Sequence, residues 1–224
     1  MNKRRKVIVA LGAGALATPF GSFAQQQGKV WRVGFLGVES PSALAARIEA
    51  MRASLRELGY VEGKNLIIEF RWAEGNFAIL PDLTYELIQR KVDVIVTYGT
   101  PATRGARQAT ATVPIVSASS GDLVGTGLVA SLARPGGNIT GSTFFGKEVA
   151  AKLVEIIKDG LPHARRVAVL LIHGNPAVDL QVAAMRTTAK ALNMELLQFT
   201  VRAPSDFKTA FSEITKKHVD AVAP

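Results

Sequence analysis

The residues that could do chemistry in this chain sit in a few polar turns, each placed directly after a run rich in β-branched residues. Tyr98-Gly99-Thr100-Pro101-Ala102 follows Val92 to Thr97, and Ser117-Ala118-Ser119-Ser120-Gly121-Asp122 follows Val113 to Val116. Ser40-Pro41 follows Val30 to Val38, and His173-Gly174-Asn175-Pro176-Ala177 follows a strand that contains Val167 to Leu170. Pro101 suits the first turn of a helix, where its missing N–H is no loss, and this spacing predicts Thr100 as the N-cap. An anion at that turn would meet unpaired amides and the positive end of the helix dipole, each worth roughly 0.3 to 1 kcal/mol at an exposed site. The alternative is that Thr100 only caps its own helix. Asp122 has a similar choice between meeting a solute ammonium and capping the segment after it. Phe144-Phe145 reads as hinge packing or as an aromatic wall. His173 is expected as a cleft-edge contact and not a metal ligand, because His163 and His218 have no ligating partners at metal spacing.

Other chemistries find no support. The sequence has no G-x-S-x-G elbow, no G-x-x-x-x-G-K-[ST] loop and no H-E-x-x-H helix, and its carboxylates are not paired by spacing. With no cysteine, it excludes disulfides, thiol catalysis, thiolate metal sites and lipid attachment at an N-terminal Cys. The net charge of +9 is partly local: Lys3, Arg4, Arg5 and Lys6 precede any acid, leaving 23 bases against 18 acids in the remainder. Those bases are scattered without interleaved aromatics, which reads as a solvated surface and not as a nucleic-acid face.

The elements that must position these turns begin after a leader. Lys3-Arg-Arg-Lys6, an apolar run from Val7 to Ala17 and the small residues Ser22-Phe-Ala24 predict a secretory signal peptide over residues 1–24. Export through the Sec route is expected, with Arg4-Arg5 also allowing the twin-arginine route. Gly12-Ala-Gly14-Ala-Leu-Ala17 is formally a dinucleotide fingerprint, but Thr18-Pro19-Phe20-Gly21 breaks the helix that such a site requires. Beyond Gly28, short apolar strands alternate with amphipathic helices, which indicates parallel sheet covered on both faces. Leu44, Ile48, Met51, Leu55 and Leu58 mark one helix face, and Leu80, Leu83 and Leu87 another. A helix over residues 146–160 is expected to turn Val149, Leu153, Ile156 and Ile157 inward.

The unit is repeated. Shifted by 134, Val178, Val182, Met185, Ala189 and Leu192 fall on Leu44 to Leu58, and Val167-Ala-Val-Leu on Val33-Gly-Phe-Leu. Shifted by 127, Val219-Asp220 falls on Val92-Asp93, with Phe207 and Ile214 on Leu80 and Leu87. Two lobes of like topology follow: an N-terminal α/β lobe over residues 25–140 and a partial C-terminal α/β lobe over 141–224, with the crossing near Asn138 to Phe145. Two like lobes with polar strand-end turns suit a clamshell that closes on a small solute.

At this point the chain resembles the ABC-transporter substrate-binding proteins of the tryptophan/tyrosine-binding type, which have the type I periplasmic-binding-protein fold. The motifs that carry the resemblance include Leu55-Arg-Glu-Leu-Gly-Tyr-Val-Glu-Gly-Lys-Asn65, Arg71-Trp-Ala-Glu-Gly75 and Gly99-Thr-Pro-Ala102. The most specific is the run Gly121-Asp-Leu-Val-Gly-Thr-Gly-Leu-Val-Ala-Ser-Leu-Ala-Arg-Pro-Gly-Gly-Asn-Ile-Thr-Gly141. The resemblance implies an α/β fold of two Rossmann-like lobes with parallel sheets, the second lobe truncated because family members continue for about another hundred residues. It implies a periplasmic protein that binds an amino acid or similar small acid and hands it to an ABC permease in the membrane, with no catalysis, no cofactor, no metal and no nucleic acid. The ligand-binding residues it implies are Ser40, Tyr98, Gly99, Thr100, Pro101, Ala102, Ser119, Ser120, Asp122, His173 and Asn175. A sensory module feeding a receptor, or a secreted α/β enzyme, are the rival functions. The partial second lobe carries the expectation that this chain by itself binds solute weakly or not at all.

Overall fold

The computed structural model describes residues 28–172 and 174–223, so the expected signal peptide lies outside the described residues. From Trp31 onward the chain forms one compact unit. Its first half runs β1 (Trp31–Gly37), α1 (Pro41–Glu57), β2 (Leu66–Trp72), α2 (Leu80–Gln89), β3 (Val94–Tyr98), α3 (Thr100–Ala109), β4 (Ile115–Gly121) and β5 (Ile139–Phe144). The second half runs α4 (Gly146–Gly160), β6 (Arg166–Ile172), α5 (Pro176–Ala191), β7 (Glu195–Val201), α6 (Asp206–Lys216) and β8 (Ala221–Ala223). The strands form two sheets of order β2-β1-β3-β4-β5 and β7-β6-β8, in which every pairing is parallel.

Both faces of each sheet are covered, as continuous apolar strands demand. In the first, α2 and α3 bring Leu80, Leu87, Ala102 and Ala106 onto Leu36, Ile95 and Ile115, while α1 brings Leu44 and Ile48 onto Val33, Phe35 and Ile68. In the second, α4 and α5 cover one face through Val154, Met185 and Ala189, and α6 covers the other through Ala210 and Ile214. A fully buried leucine such as Leu87 contributes about 1.5–3 kcal/mol relative to an exposed one. Two apolar stripes depart from expectation. Leu58 is 73% exposed, because α1 stops at Glu57 and Gly59, with φ of 88°, turns the chain away from the core. On α4 the inward residues are Ala150, Leu153, Val154 and Ile157, so that Val149 and Ile156 face outward.

The duplication extends to individual hydrogen bonds. Val33 pairs with Val94 across β1 and β3, and Val167 with Ala221 across β6 and β8, which are the same positions under the two sequence shifts. Just before β3 and just before β8 an aspartate binds the opening amide of the neighbouring strand. Asp93 accepts from Arg32 N–H at 2.8 Å, and Asp220 accepts from Arg166 N–H at 2.9 Å and Arg165 N–H at 2.7 Å. Their own amides return the bond, Asp93 N–H to Arg32 O at 2.7 Å and Asp220 N–H to Arg166 O at 2.9 Å. The recurring Val-Asp is therefore a register device: it fixes where two parallel strands begin to pair.

A second polar cluster fixes the mouth of the first sheet. The segment from Ser117 to Gly121, expected as a loop, is the second half of β4, although serine and glycine are poor strand formers. Side-chain hydrogen bonds override that preference. Gly121 N–H donates to Thr100 Oγ1 at 2.9 Å, the Thr100 and Ser120 hydroxyls meet at 2.9 Å, and Ser120 Oγ donates to Gly121 O at 3.1 Å. Beneath them Thr103 Oγ1 lies 2.8 Å from Thr97 Oγ1 and 3.3 Å from Ser117 Oγ. All five hydroxyl residues are at most 2% exposed. The first turn of α3 is thus bonded down onto β3 and β4 with its donors spent inside the fold.

Replacing Thr100 with Val should lower stability by about 1–3 kcal/mol, because the Gly121 amide would be left buried and unpaired and the Ser120 hydroxyl would keep only its bond to the Gly121 carbonyl. The urea midpoint reads this directly, and the double variant Thr100→Val/Ser120→Ala should recover part of the loss. For Asp220, the Arg165 and Arg166 amides hold its carboxyl below the usual range. Its stabilisation is therefore present above the unfolded value, about 3.9, and is lost as pH falls through the lower folded value. Acid titration of stability should accordingly be flatter in Asp220→Asn than in wild type.

Candidate functional site

In a parallel sheet the polar turns gather at the carboxyl ends of the strands, and helix N-termini point there. The first sheet contributes the turns after β1, β3 and β4, and the second contributes the turn from β6 into α5. At α3 the N-cap is Gly99, with φ of 93° and ψ of 147°, and not Thr100. A left-handed φ suits glycine, and it lets the chain leave β3 so sharply that Thr100 falls inside the helix, 2% exposed, with its hydroxyl turned down to Ser120. Pro101 occupies the first turn as expected, and Pro101 and Ala102 are buried with it.

The other expected residues take different places. Ser40 precedes α1, with its hydroxyl 3.0 Å from Ser42 Oγ, and Ser119 presents its carbonyl to Gly99 N–H at 2.9 Å; both are half-buried at the rim. Tyr98 packs against the cluster under α1, with the Arg47 guanidinium 5.3 Å from its ring centre. Ser120 is fully buried in the hydroxyl ring. Asn175 caps α5, its side-chain oxygen accepting from Ala177 N–H at 3.1 Å. His173 lies outside the described residues.

Asp122 acts as a cap and as an ion-pair partner together. Its Oδ1 accepts from Gly125 N–H at 2.7 Å, while Oδ2 faces Lys147 Nζ at 3.1 Å from the first turn of α4. Among the described residues, that Oδ2 is the buried side-chain polar atom left without a hydrogen bond of good geometry. The Gly125 amide, and then Lys147, hold the Asp122 carboxyl below its ordinary range against the opposing effect of burial, and Asp122 raises the Lys147 amine in return. A small cavity of about 110 Å³, walled by Leu132, Phe144 and Phe145, adjoins the pair.

Sequence reasoning missed how the second sheet's helix meets the first sheet. The N-terminal half of α5 is seated on glycines. A Cβ at Gly121 would lie 2.7 Å from Ala177 Cβ, one at Gly125 would lie 2.9 Å from Leu180 Cδ1, and one at Gly146 would lie 2.5 Å from Gln181 Nε2. At the end of β6 a Cβ on Gly174 would stand 3.0 Å from the ring of Phe77, which follows β2. Gly121 and Gly125 belong to the long glycine-rich run, so a signal was present, but nothing in one sequence says which helix such glycines receive. Beside Gly174 opens a cavity of about 390 Å³, lined by Arg104 of α3 and, from the second sheet's side, by Ile172, Asn175, Asp179, Gln198 and Thr200. Another cavity, of about 570 Å³, lies elsewhere, around Asn138 and the Gly136-Gly137 turn at the opposite ends of β4 and β5.

Comparison with known proteins gives this arrangement its context. The family described as ABC transporter substrate binding protein matches residues 34–224. A tyrosine-binding protein of Clostridioides difficile is 29% identical over 180 residues, covering 80% of this chain and 51% of that protein. Among solved structures, a conserved domain protein of Vibrio cholerae aligns with a TM-score of 0.77 at 29% identity, over 87% of this chain and 64% of the other. An ABC domain from Streptococcus pneumonia in complex with L-tryptophan aligns with a TM-score of 0.74 at 26% identity, over 86% and 64%. The chain thus spans about half the length of the curated relative and under two thirds of these solved chains. Its two parallel sheets have the type I periplasmic-binding-protein architecture. With a match over most of its length, the chain belongs to the family of ABC transporter substrate-binding proteins.

Proposed function

We propose that the chain captures a small solute, an amino acid or similar small acid, between two lobes and delivers it to an ABC permease on the extracytoplasmic side of a membrane. In this reading residues 1–24 direct export, residues 25–140 form one lobe and residues 141–224 supply the facing wall. The observation that carries it is the meeting of the two sheets' carboxyl edges, with Gly121 against Ala177 and Gly174 against Phe77, together with a cavity that Arg104 lines from the first sheet's side and Gly174, Asn175 and Thr200 from the second's. Rims that touch at backbone distance can exclude water from a solute held between them, and this strengthens every polar contact to it.

Within the site, Ser40, Gly99, Ser119, Asp122 and Asn175 are the rim groups placed to face a solute. Tyr98, Thr100, Pro101, Ala102 and Ser120 hold that rim in position from below. Relatives support the solute class: one is a tyrosine-binding protein and another was solved with L-tryptophan. Closure by Gly-to-helix contact, already made in this chain, gives a reason to expect binding that is weak but measurable.

Calorimetric or NMR titration of the purified chain with the common amino acids and small aromatic acids tests the reading. Saturable one-site binding of at least one of them is expected, and its absence across the whole panel would sink the proposal. Gly121→Val should leave the sheets folded but push Ala177 and α5 off their seat, weakening that binding by about ten-fold or more, since a lost contact of 1.4 kcal/mol already gives a factor of ten.

A further inference from the structure

The first sheet ends on an open strand. β2 pairs with β1 alone, and its other side has no neighbour. In a parallel pair the bonding groups alternate along the strand, and two bonds fix the phase here: Trp31 N–H donates to Asn65 O at 2.9 Å, and Ala73 N–H donates to Gly37 O at 3.0 Å. Ile67, Glu69 and Arg71 therefore bond inward, and the backbone groups of Leu66, Ile68, Phe70 and Trp72 point out. Leu66 is already served by the turn before it, its N–H donating to Val61 O and its carbonyl accepting from Gly63 N–H. The open stretch is thus Ile68 to Trp72, with Phe70 at its middle. On the α1 side the rings of Phe70 and Trp72 lie stacked, with centres 5.8 Å apart, beside an apolar groove of about 280 Å³ that Pro41, Ala45 and Ile48 line from α1. On the α2 side stand Glu69 and Arg71, both half-buried.

We propose that this edge joins a second copy of the chain, β2 against β2, antiparallel about a twofold axis at Phe70. Outward groups belong to even positions, so directly bonded partners must both be even. Centring on Phe70 sets Ile68 opposite Trp72 of the second copy and Phe70 opposite Phe70, which uses every open group. The same register sets Glu69 opposite Arg71 of the second copy, twice over, and opposite charges facing across an antiparallel pair are favourable. Centring one residue earlier would set the two Glu69 carboxylates face to face, which is unfavourable. Glu69 also lacks a close partner of its own, since the Arg32 and Arg71 guanidiniums stand 3.8 and 3.9 Å from it. In a single copy Arg71 covers the edge, donating from one nitrogen to Phe70 O at 2.8 Å while another reaches Glu86 at 2.6 Å. When a second strand arrives, its amide takes Phe70 O, and the freed Arg71 nitrogen turns to the facing Glu69. On the other face Ile68, Phe70 and Trp72 of the two copies form one apolar row beside the α1 groove. The remaining edges lack these features: β5 shifts register against β4 midway, β8 has three residues, and β7 carries Glu195 as its single charge. β2 lies across the first sheet from β5, where the chain crosses to the second sheet, so the pairing does not depend on solute capture. One strand pair and its flanks bury less than the roughly 1,200 Å² of stable complexes, so a micromolar-to-millimolar dimer is expected.

Sedimentation velocity of the purified chain from about 10 μM to about 1 mM should show a reversible monomer–dimer equilibrium. Glu69→Arg and Arg71→Glu should each weaken it by about ten-fold or more, because each sets like charges face to face. An equal mixture of the two variants should regain the dimer, since the two arginines of one chain then face the two glutamates of the other. That recovery reports the register itself, because mixing cannot repair the lost Arg71–Glu86 ion pair. Hydrogen exchange of the wild type needs no variant. Raising the concentration should protect the Ile68, Phe70 and Trp72 amides and leave the already bonded Ile67, Glu69 and Arg71 amides unchanged. Where the urea midpoint shows that a variant fails to fold, this alternating pattern decides alone. A chain that stays monomeric to about 1 mM overturns the proposal. So does a dimer that both variants keep within about two-fold, a mixture that stays apart, or a dimer in which those three amides gain no protection.

Discussion

The rim of the first sheet depends on one short circuit of hydrogen bonds, from the Gly121 amide through the Thr100 and Ser120 hydroxyls to the Gly121 carbonyl. It is buried, so its bonds are stronger than in water and its disruption would leave polar atoms with nowhere to turn. It holds together two elements that local preference would not join, the first turn of α3 and a serine-rich strand end. It also sets Gly121 at the height where α5 arrives. A side chain at that position, or a strand end free to drift by an ångström, would separate the two sheets.

The same economy marks the opposite ends of the strands. Asp93 and Asp220 each bind the opening amide of the neighbouring central strand and donate their own amide back. A parallel pair has no hairpin to set its register, so the first bond must be specified by side chains or by packing. Placing the aspartate at the same point in both copies means that the strand pair in each sheet starts from the same register.

Much of this was legible from residues alone, and the reasons differ by element. Covered parallel strands announce themselves as apolar runs, and helices such as α1, α2 and α5 as periodic stripes; the shifts of 134 and 127 then exposed the duplication. What periodicity could not resolve was a stripe with apolar residues on two faces, as in α4, where Val149 and Ile156 compete with Ala150, Leu153, Val154 and Ile157. Nor could it see that Ser117 to Gly121 is strand, because that outcome is decided by hydroxyls of α3 some twenty residues away. Thr100 was noticed for the right reason, a hydroxyl at a helix start after a strand, but the left-handed Gly99 advances the helix by one residue and turns that hydroxyl inward. Arg104 and Asp179 carry no sequence signal at all: each is one charge on a helix, and only the meeting of α3 with α5 puts them in one cavity.

Charged groups along the seam differ in whether the protein itself satisfies them. Asp122 and Lys147 are already matched at 3.1 Å without any solute, across the step from β4 to α4, so they favour the joined arrangement at all times. Arg104 and Asp179 make no hydrogen bond or ion pair with one another or with other side chains among the described residues. A ligand shifts a conformational equilibrium only by its difference in affinity for the two states. A seam closed wholly by its own ion pairs would gain nothing from solute, and one with no pair of its own would have to draw all its closing energy from the solute.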